Sequence, residues 1–401
     1  MNINADHFDQ LLRENGPAAV VLKQWLKPAN GAIVFPPTYA NPSQKKGDPP
    51  VYNIDRYGET ASLRKTFEKV GKVQTFMEAE RTEEGHEYSV CVIDSIPSQA
   101  NRIEPAFGHD IADGQLVPRV TIHVNINDED GERKEVVSLL AAGHRAADAI
   151  VRFSSIGNEV EKAIRARRSG NSLPLAKIAP TSLIFGMWDS RATGVKVPRL
   201  FNSVIRAYDV LEFRRSAQYF PAADYAAAGV AADKGEKGLK KLADQGMAEV
   251  PATFTLGGIE ARGGICREAS LNLVTLRDTV AVTTKEGGSA TDIDKERSKI
   301  QTLALQRYLL GLALVSLTWH DSKVLNLRQG CQLVGVPEKP MSRCCINCDG
   351  SEHPFEIDRD LAIEYAKVTA KEFGVGPARE GVFDPKKAKE ALKKQVGEET
   401  A

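Results

Sequence analysis

Hydrophobic and polar residues alternate with a period of two in several short stretches of the chain. Residues 31–35 (GAIVF), 88–93 (YSVCVI) and 120–126 (VTIHVNI) are rich in β-branched and aromatic side chains, which predicts strands. Residues 181–188 (TSLIFGMW) and 269–276 (ASLNLVTL) read the same way. Residues 136–153 and 295–319 repeat apolar positions at three- and four-residue spacing over helical lengths, and predict helices. Residues 358–373 predict a further helix and 385–395 a charged terminal one. Strands and helices do not alternate regularly, so the pattern predicts an α+β fold with antiparallel strands rather than a doubly wound parallel sheet.

Three segments carry neither period. Residues 36–58 hold five prolines, 216–250 are rich in Ala, Gly, Lys and Asp with room for one peripheral helix, and 331–354 are turn-rich with four of the six cysteines. A length of 401 residues is enough for two or three domains. With no solenoid repeat, one domain over 1–401 with insertions at 36–58 and 216–250 accounts better for that length, leaving 331–401 as a Cys-containing turn region and helical extension. The opening MNINADHFDQLL lacks a basic stretch followed by an apolar core, so no secretory signal is expected. The longest apolar run, 308–317, has ten residues, too few to span a bilayer, and predicts a buried helix. The expectation is a soluble cytoplasmic protein with its cysteines as thiols.

Composition narrows the class. Apolar residues at 42% and charged residues at 26% exclude wholesale disorder. Lys+Arg and Asp+Glu both number 53, which excludes a uniformly basic nucleic-acid binder. The charge is uneven, however: residues 133–215 hold 15 Lys/Arg against 7 Asp/Glu. A neutral chain with a basic middle is what a one-sided surface for a polyanion produces, provided the charges share a face.

The densest polar cluster is DSIPSQANRIE, residues 94–104, directly after a predicted strand. Ser98, Gln99, Asn101 and Arg102 are donors suited to phosphate and sugar oxygens, and Ser95 stands near the N-cap of a helix with Pro97 in its first turn. The same residues also suit a capped helix with a solvated face. Along 136–153 and just beyond, His144, Arg145, Asp148, Arg152 and Ser155 share one helical stripe; His144 and Asp148 have the spacing of two metal ligands, but no third and fourth follow. An Asp that orients its neighbours is the simpler reading. In FGMWDSRATGVKVPR, residues 185–199, an aromatic stands beside Arg191, Lys196 and Arg199, the stacking-plus-charge pattern of single-strand binding, although a lone Trp188 also suits a core. LGGIEARGGICR, 256–267, is Gly-rich but lacks the spacing of a dinucleotide or phosphate loop, and a bulged hairpin turn explains it equally well. Cys331, Cys345, Cys348 and His353 can be written as a zinc set, but a second CxxC pair is missing. No metal or other cofactor is expected, and no hydrolase motif occurs.

Taken in order, FPPTY (35–39), IDSIPSQANRIE (93–104), HRAADAI (144–150), FGMWDS (185–190) and KVPR (196–199) resemble the Cas-seven backbone RAMP subunit of the subtype I-U (I-G) CRISPR effector complex, Cascade. The resemblance runs from about residue 18 to residue 333; CCINC and the tail after Pro340 lie outside it. It implies an RRM-like (ferredoxin-like) antiparallel palm with finger and thumb insertions. It further implies a non-catalytic subunit in antiviral defence. Copies of the chain would line up in a filament on CRISPR RNA and present the spacer to target DNA. The other partners implied are a large subunit and a subunit that caps or processes the guide end, with no membrane. Ser95, Ser98, Gln99, Asn101, Arg102, His144, Arg145, Arg191, Lys196 and Arg199 are the expected RNA contacts. The aromatic signature of ordinary RRM domains is absent, so backbone contact is expected over stacking on the sheet. The rival from another class is a metal-dependent nuclease or hydrolase built on Asp94, Glu104, His144 and Asp148.

Overall fold

The strand Ala19–Pro28 (AVVLKQWLKP) organises the molecule. Val20, Leu22, Gln24 and Leu26 are buried on one face, while Val21, Lys23, Trp25 and Lys27 lie on the other. In a computed structural model that describes residues 6–41, 50–57, 88–128, 131–225, 227–230, 236–282, 292–321 and 323–399, this strand pairs antiparallel with Ile265–Asn272. Its other edge takes Cys331–Gly335 at one end and Ser342–Ile346 at the other. Beyond Ile265–Asn272 follow Phe201–Tyr208, Tyr88–Asp94 and Ile54–Tyr57, all antiparallel. Taking Ala19–Pro28, Phe201–Tyr208, Ile265–Asn272 and Cys331–Gly335 as first to fourth, the spatial order is fourth, first, third, second. Helical crossovers follow the first and third. That is the expected RRM-like palm in an α+β fold, with Tyr88–Asp94 and Ile54–Tyr57 widening one edge.

Helices cover one face of the palm. Val20, Leu22, Phe201, Ala269 and Leu271 form one apolar core with Ile103 of the helix Ile96–Ile103 and with Leu305, Leu309 and Leu312 of the helix Asp292–Thr318. The expected buried helix is thus a core helix: its residues from Leu305 to Thr318 are nearly all buried. Gly311 lets the helix Arg359–Phe373 approach closely, since a Cβ there would stand 2.9 Å from the Ala366 Cα. Tyr308 stacks on Phe373 with ring centroids 4.5 Å apart.

Two palm strands run on into an arm. Phe201–Tyr208 continues as Val210–Tyr219, and Ile265–Asn272 is preceded by its partner Val250–Ala261. The bend falls at Asp209, whose φ of 45° lies in the left-handed region, opposite Gly263. The Gly263 N–H donates to the Tyr208 carbonyl at 2.9 Å, and a Cβ on Gly263 would meet Tyr208 at 3.0 Å. The Gly-rich segment 256–267 is therefore the joint between arm and palm. Ile33–Val34 pairs along the arm base. The segment 216–250 is its distal connection and carries the one expected helix, Glu236–Asp244. The segment 36–58 contributes Thr38–Tyr39 paired with Val51–Tyr52; positions 42–49 and 58 fall outside the described residues. Elsewhere Val120–Asp128 and Gly131–Ser138 form a hairpin, and Arg379–Val382 joins it in parallel.

Three sequence expectations are corrected. Residues 136–153 are not one helix: Gly131–Ser138 is a strand, followed by the short turns Leu139–Ala141 and Arg145–Ala147 and the helix Ala149–Arg152. Arg145 at φ 54° breaks any continuous helix, and Ser138 and Asp148 cap separate turns. Residues 181–188 form the helix Thr181–Ile184 and the short strand Met187–Trp188, separated at Gly186 with φ 75°. Residues 269–276 leave the sheet at Asn272, whose side chain accepts from the Thr275 N–H at 2.9 Å and caps the helix Leu273–Arg277. The central strands Ala19–Pro28 and Phe201–Tyr208 and both arm strands are not expected from the pattern.

One charge lies inside this frame. Arg267, 0% exposed, donates to Ser203 Oγ at 3.3 Å, Gln24 Oε1 at 3.2 Å and the Leu317 carbonyl at 3.2 Å. Burial first, and Arg343 in addition, lower its pKa to about 10, with Asp321 opposing, so it stays protonated at neutral pH. Arg267→Ala leaves the Gln24 and Leu317 acceptors without their partner and weakens the tie to Ser203, and is expected to cost about 3 kcal/mol or more, measured by denaturant unfolding.

Candidate nucleic-acid interface

The motif at 94–104 folds around Asp94, which is 0% exposed. Ser95 caps the helix Ile96–Ile103 by accepting from the Ser98 N–H, with Pro97 in the first turn, as the sequence predicts. The Asp94 carboxylate accepts from Ser98 Oγ at 2.7 Å, Gln99 Nε2 at 2.6 Å, Arg102 Nε at 3.0 Å and Arg328 Nη2 at 3.2 Å. Gln99 Oε1 in turn accepts from Ser203 Oγ at 2.9 Å. This links Asp94 to Arg267 through two neutral side chains. Most polar groups of the motif are therefore satisfied within the protein.

The other motifs converge on a second hub. Glu104 closes the first motif, and its carboxylate receives Arg145 Nε at 2.7 Å in a buried ion pair. Arg145 Nη1 also donates to the Gly186 carbonyl at 3.1 Å, and its guanidinium lies over Phe185. Gly186 packs against Arg199, whose Cγ a Cβ on Gly186 would meet at 2.7 Å. Burial, and then the Arg145 charge, lower the pKa of Arg199. The segments 93–104, 144–150, 185–190 and 196–199 thus meet around Arg145. Above this hub Trp188 is 59% exposed and pairs across strands with Lys196, whose Nζ lies 4.5 Å from the indole centroid. Asp189 accepts from the Ala192 and Thr193 N–H groups and from Thr193 Oγ1, shaping the turn that carries Arg191. The outcome is a rim of exposed Trp188, Lys196, Arg191, Arg199 and His144 on a buried salt-bridged base.

A second basic and aromatic surface lies on the palm face opposite the helices. Trp25 packs there with Val90, Tyr208 and Cys266. Lys23 and Lys339 place Nζ 5.0 and 4.1 Å from the Trp25 ring. Glu268 accepts from Arg206 at 3.0 Å and Tyr208 at 3.1 Å, and Asn202 donates to Ser270 at 2.8 Å. The sequence motifs point to none of these residues. The alternation in AVVLKQWLKP, with a Lys and a Trp on the face opposite Leu and Val, is the signal that could have found Lys23 and Trp25. Aromatic residues on the sheet are not expected from the sequence; Trp25 and Tyr208 are there, with centroids 6.4 Å apart.

Of the expected RNA contacts, Asn101, His144, Arg191, Lys196 and Arg199 are exposed, and Ser95, Ser98 and Arg102 are half-buried. Gln99 and Arg145 are buried and bound to protein partners, Gln99 bridging two strands and Arg145 pairing with Glu104. The stripe expected of His144 and Asp148 dissolves with the helix. Asp148 instead accepts from the His144 and Ile150 N–H groups at 3.1 Å each. The four residues of the nuclease alternative are dispersed among these tasks. Among the described residues, no three His, Cys, Asp or Glu side chains are grouped to hold a metal ion, the cysteine set included. Cys331 and Cys345 are buried thiols in palm strands, and Cys345 faces His353 across a strand pair.

Residues 20–212, just under half of the chain, match the family model described as CRISPR-associated protein GSU0053. The matched span takes in Asp94 with Ser98, Gln99 and Arg102, the Arg145 hub and the Trp188 rim. It supports a CRISPR-associated protein acting with other CRISPR components. No curated protein matches the chain.

The Arg145 hub is separable from the rim by stability. Arg145→Ala strands a buried carboxylate and is expected to cost about 3–5 kcal/mol, whereas Lys196→Ala on the surface should stay within about 0.5 kcal/mol, both read by chemical denaturation. Burial pushes the Glu104 carboxyl up from 4.5 to about 7, with Arg145 offsetting part of the rise. The folded state therefore binds this proton more tightly than the unfolded state. The contribution of Glu104 to stability is fully present below pH 4.5 and falls as pH rises through about 7. The stability of the wild type minus that of Glu104→Gln, followed by thermal melts from pH 4.5 to 8, should decline over that window.

Proposed function

We propose that this protein is a non-catalytic RNA-binding backbone subunit of a CRISPR effector complex of the I-U (I-G) subtype. It oligomerises along the guide RNA and presents the spacer to target DNA. The observation that carries this reading is the exposed Trp188 under Lys196, bordered by Arg191, Arg199 and His144 and built on residues drawn from four separate sequence motifs. Cations beside an exposed aromatic bind a single strand by phosphate attraction and stacking, with little regard to sequence. Sequence-independent binding is what a guide-holding subunit requires, since each spacer differs. The RRM-like palm and the family match over residues 20–212 support the same reading. The arm supports oligomerisation: Tyr219 and Phe220, at its far end, are 49% and 66% exposed. A head-to-tail contact of such an arm with the next copy propagates rather than closing into a dimer. The partners of this reading are CRISPR RNA, target DNA, further copies of the chain, the large subunit and the guide-end subunit, in the cytoplasm.

Two measurements test it. Lys196→Ala combined with Arg199→Ala is expected to weaken binding of single-stranded RNA by about 1.5–3 kcal/mol for each charge-assisted hydrogen bond removed, with little dependence on RNA sequence. A strong preference for one spacer over scrambled ones at fixed salt would overturn the reading. Replacing 220–249 by a short Asn-Gly turn should leave a folded monomer that forms shorter assemblies on guide RNA in size-exclusion chromatography. Unchanged assembly size would place the subunit contact elsewhere.

A further inference from the structure

The helix Pro385–Glu399, which follows the strand Arg379–Val382, carries a concentrated charge. Its first ten residues, 385–394, hold five lysines and one glutamate, and two more glutamates stand at its far end, at 398 and 399. Lys386, Lys387, Lys389 and Lys393 are all exposed, and so is Leu392, at 63%. From Pro385 to Lys393 only Ala388 is half-buried, so this stretch adds no side chain to the core. Its root is nevertheless fixed. The Phe383 N–H donates to the His123 carbonyl at 2.9 Å and the Asp384 N–H to the Phe153 carbonyl at 2.7 Å. The Asp384 carboxylate accepts from the Lys386 and Lys387 N–H groups at 2.9 and 3.4 Å. The helix therefore leaves the body next to Phe153, whose ring lies 4.8 Å from the Arg152 guanidinium. Arg152 in turn lines a small crevice with Asp189 and Ala192, at the turn that carries Arg191. The lysine helix thus springs from the flank of the Trp188 rim.

Such a helix gains little from the protein alone. Fifteen residues without a packed face are marginal as a helix in water. The first turn holds cations and no acid, against the helix dipole. Lys386 with Lys389, and Lys389 with Lys393, are like charges at three- and four-residue spacing, where they repel. Glu390, within a turn of Lys386, Lys387 and Lys393, offsets one of these charges. The other acids near the root are engaged: Asp384 in the cap, Glu161 with Arg165 at 2.7 Å, and Asp189 with the Thr193 N–H and hydroxyl. A row of phosphates laid along the lysines relieves the repulsion and the dipole conflict together.

We propose that the helix Pro385–Glu399 is a second contact for single-stranded RNA, a basic rail on which Lys386, Lys387, Lys389 and Lys393 hold the phosphate backbone of the strand that crosses the Trp188 rim. The proposal rests on the RNA-binding reading above and goes beyond it, since the helix lies outside residues 20–212 of the family match and outside the segments that resemble the backbone subunit. Charge complementarity selects the occupant. Lysine ammonium groups on flexible stems meet phosphates in any register, so the rail tolerates any RNA sequence.

The test is fluorescence anisotropy with a labelled single-stranded RNA of mixed sequence over a range of salt. Replacing Lys386, Lys387, Lys389 and Lys393 together by Gln should weaken binding roughly tenfold and reduce the slope of log K against log salt by about 0.7 for each lysine that neutralises a phosphate. The thermal melt should not change, because the four side chains are exposed. Replacing the same four by Arg should keep the wild-type slope. Unchanged affinity and slope in the Gln variant, while Lys196→Ala with Arg199→Ala still weakens binding, would overturn the rail and leave the RNA reading standing. A melting temperature that drops along with affinity in the Gln variant would make the lysines structural and would also overturn the rail. If the wild type binds no RNA, the rail falls together with that reading.

Discussion

A fully buried arginine constrains this fold. Arg267 sits on a central palm strand and holds Gln24 of the neighbouring strand, Ser203 of the strand on its other side and the last turn of the long core helix. An unpaired charge in that position would be intolerable, so the elements around it are fixed in register. From Ser203 the same chain of hydrogen bonds passes through Gln99 to Asp94, and from Asp94 to Arg102 and Arg328. One polar thread thus runs under the helices across four palm strands. Such a thread contributes specificity of arrangement more than net stability, because each buried charge costs solvation that its partners only partly return.

The thread accounts for what the sequence conveys and what it conceals. The cluster at 94–104 is legible as a site of concentrated polar chemistry, and its capped helix is readable down to Ser95 and Pro97. What cannot be read is direction. Ser98, Gln99 and Arg102 have the same donors whether they face RNA or Asp94, and the choice is made by Asp94 being buried at a strand end. Arg145 is hidden for the same reason: its partner Glu104 is distant in sequence, so local spacing offers only Asp148. By contrast Arg191, Lys196 and Arg199 are legible as exposed because their turn contains Gly194 and Pro198, which keep it out of the core. The helices at 295–319 and 358–373 are legible from long apolar periods. The strand Phe201–Tyr208 is not, because a central strand buried on one side and half-covered on the other blurs the alternation that marks an exposed sheet.

Residues 136–153 show the limit of periodicity most clearly. Leu139, Ala142 and Ala146 are buried and Leu140 and Ile150 half-buried, while Ala149 is exposed, so most of the apolar positions face inward although the helix does not form. A winding path of capped turns can bury residues at three- and four-residue spacing as well as a helix can. What selects the turns is the need to bring Arg145 over Glu104 and under Gly186, which a straight helix ending at Phe153 would not allow. Tertiary electrostatics overrides local propensity here.

The neutral formal charge of the chain also becomes intelligible. Acids are spent inward or on neighbours: Asp94, Glu104 and Asp189 are buried acceptors, and Glu268 is shared by Arg206 and Tyr208. Arg145 and Arg267 apart, several cations lie over aromatic rings, at Trp25, Trp188 and Trp319. A protein can therefore balance its total charge and still present positive surfaces, since a buried carboxylate paired within the fold does little to repel a phosphate several ångströms away in solvent. Segregation of this kind would suit the function we propose, a subunit repeated along a polyanion. Under that proposal each copy would offer local attraction without the net charge that makes neighbouring copies repel, so assembly on a strand and attraction to it would not conflict.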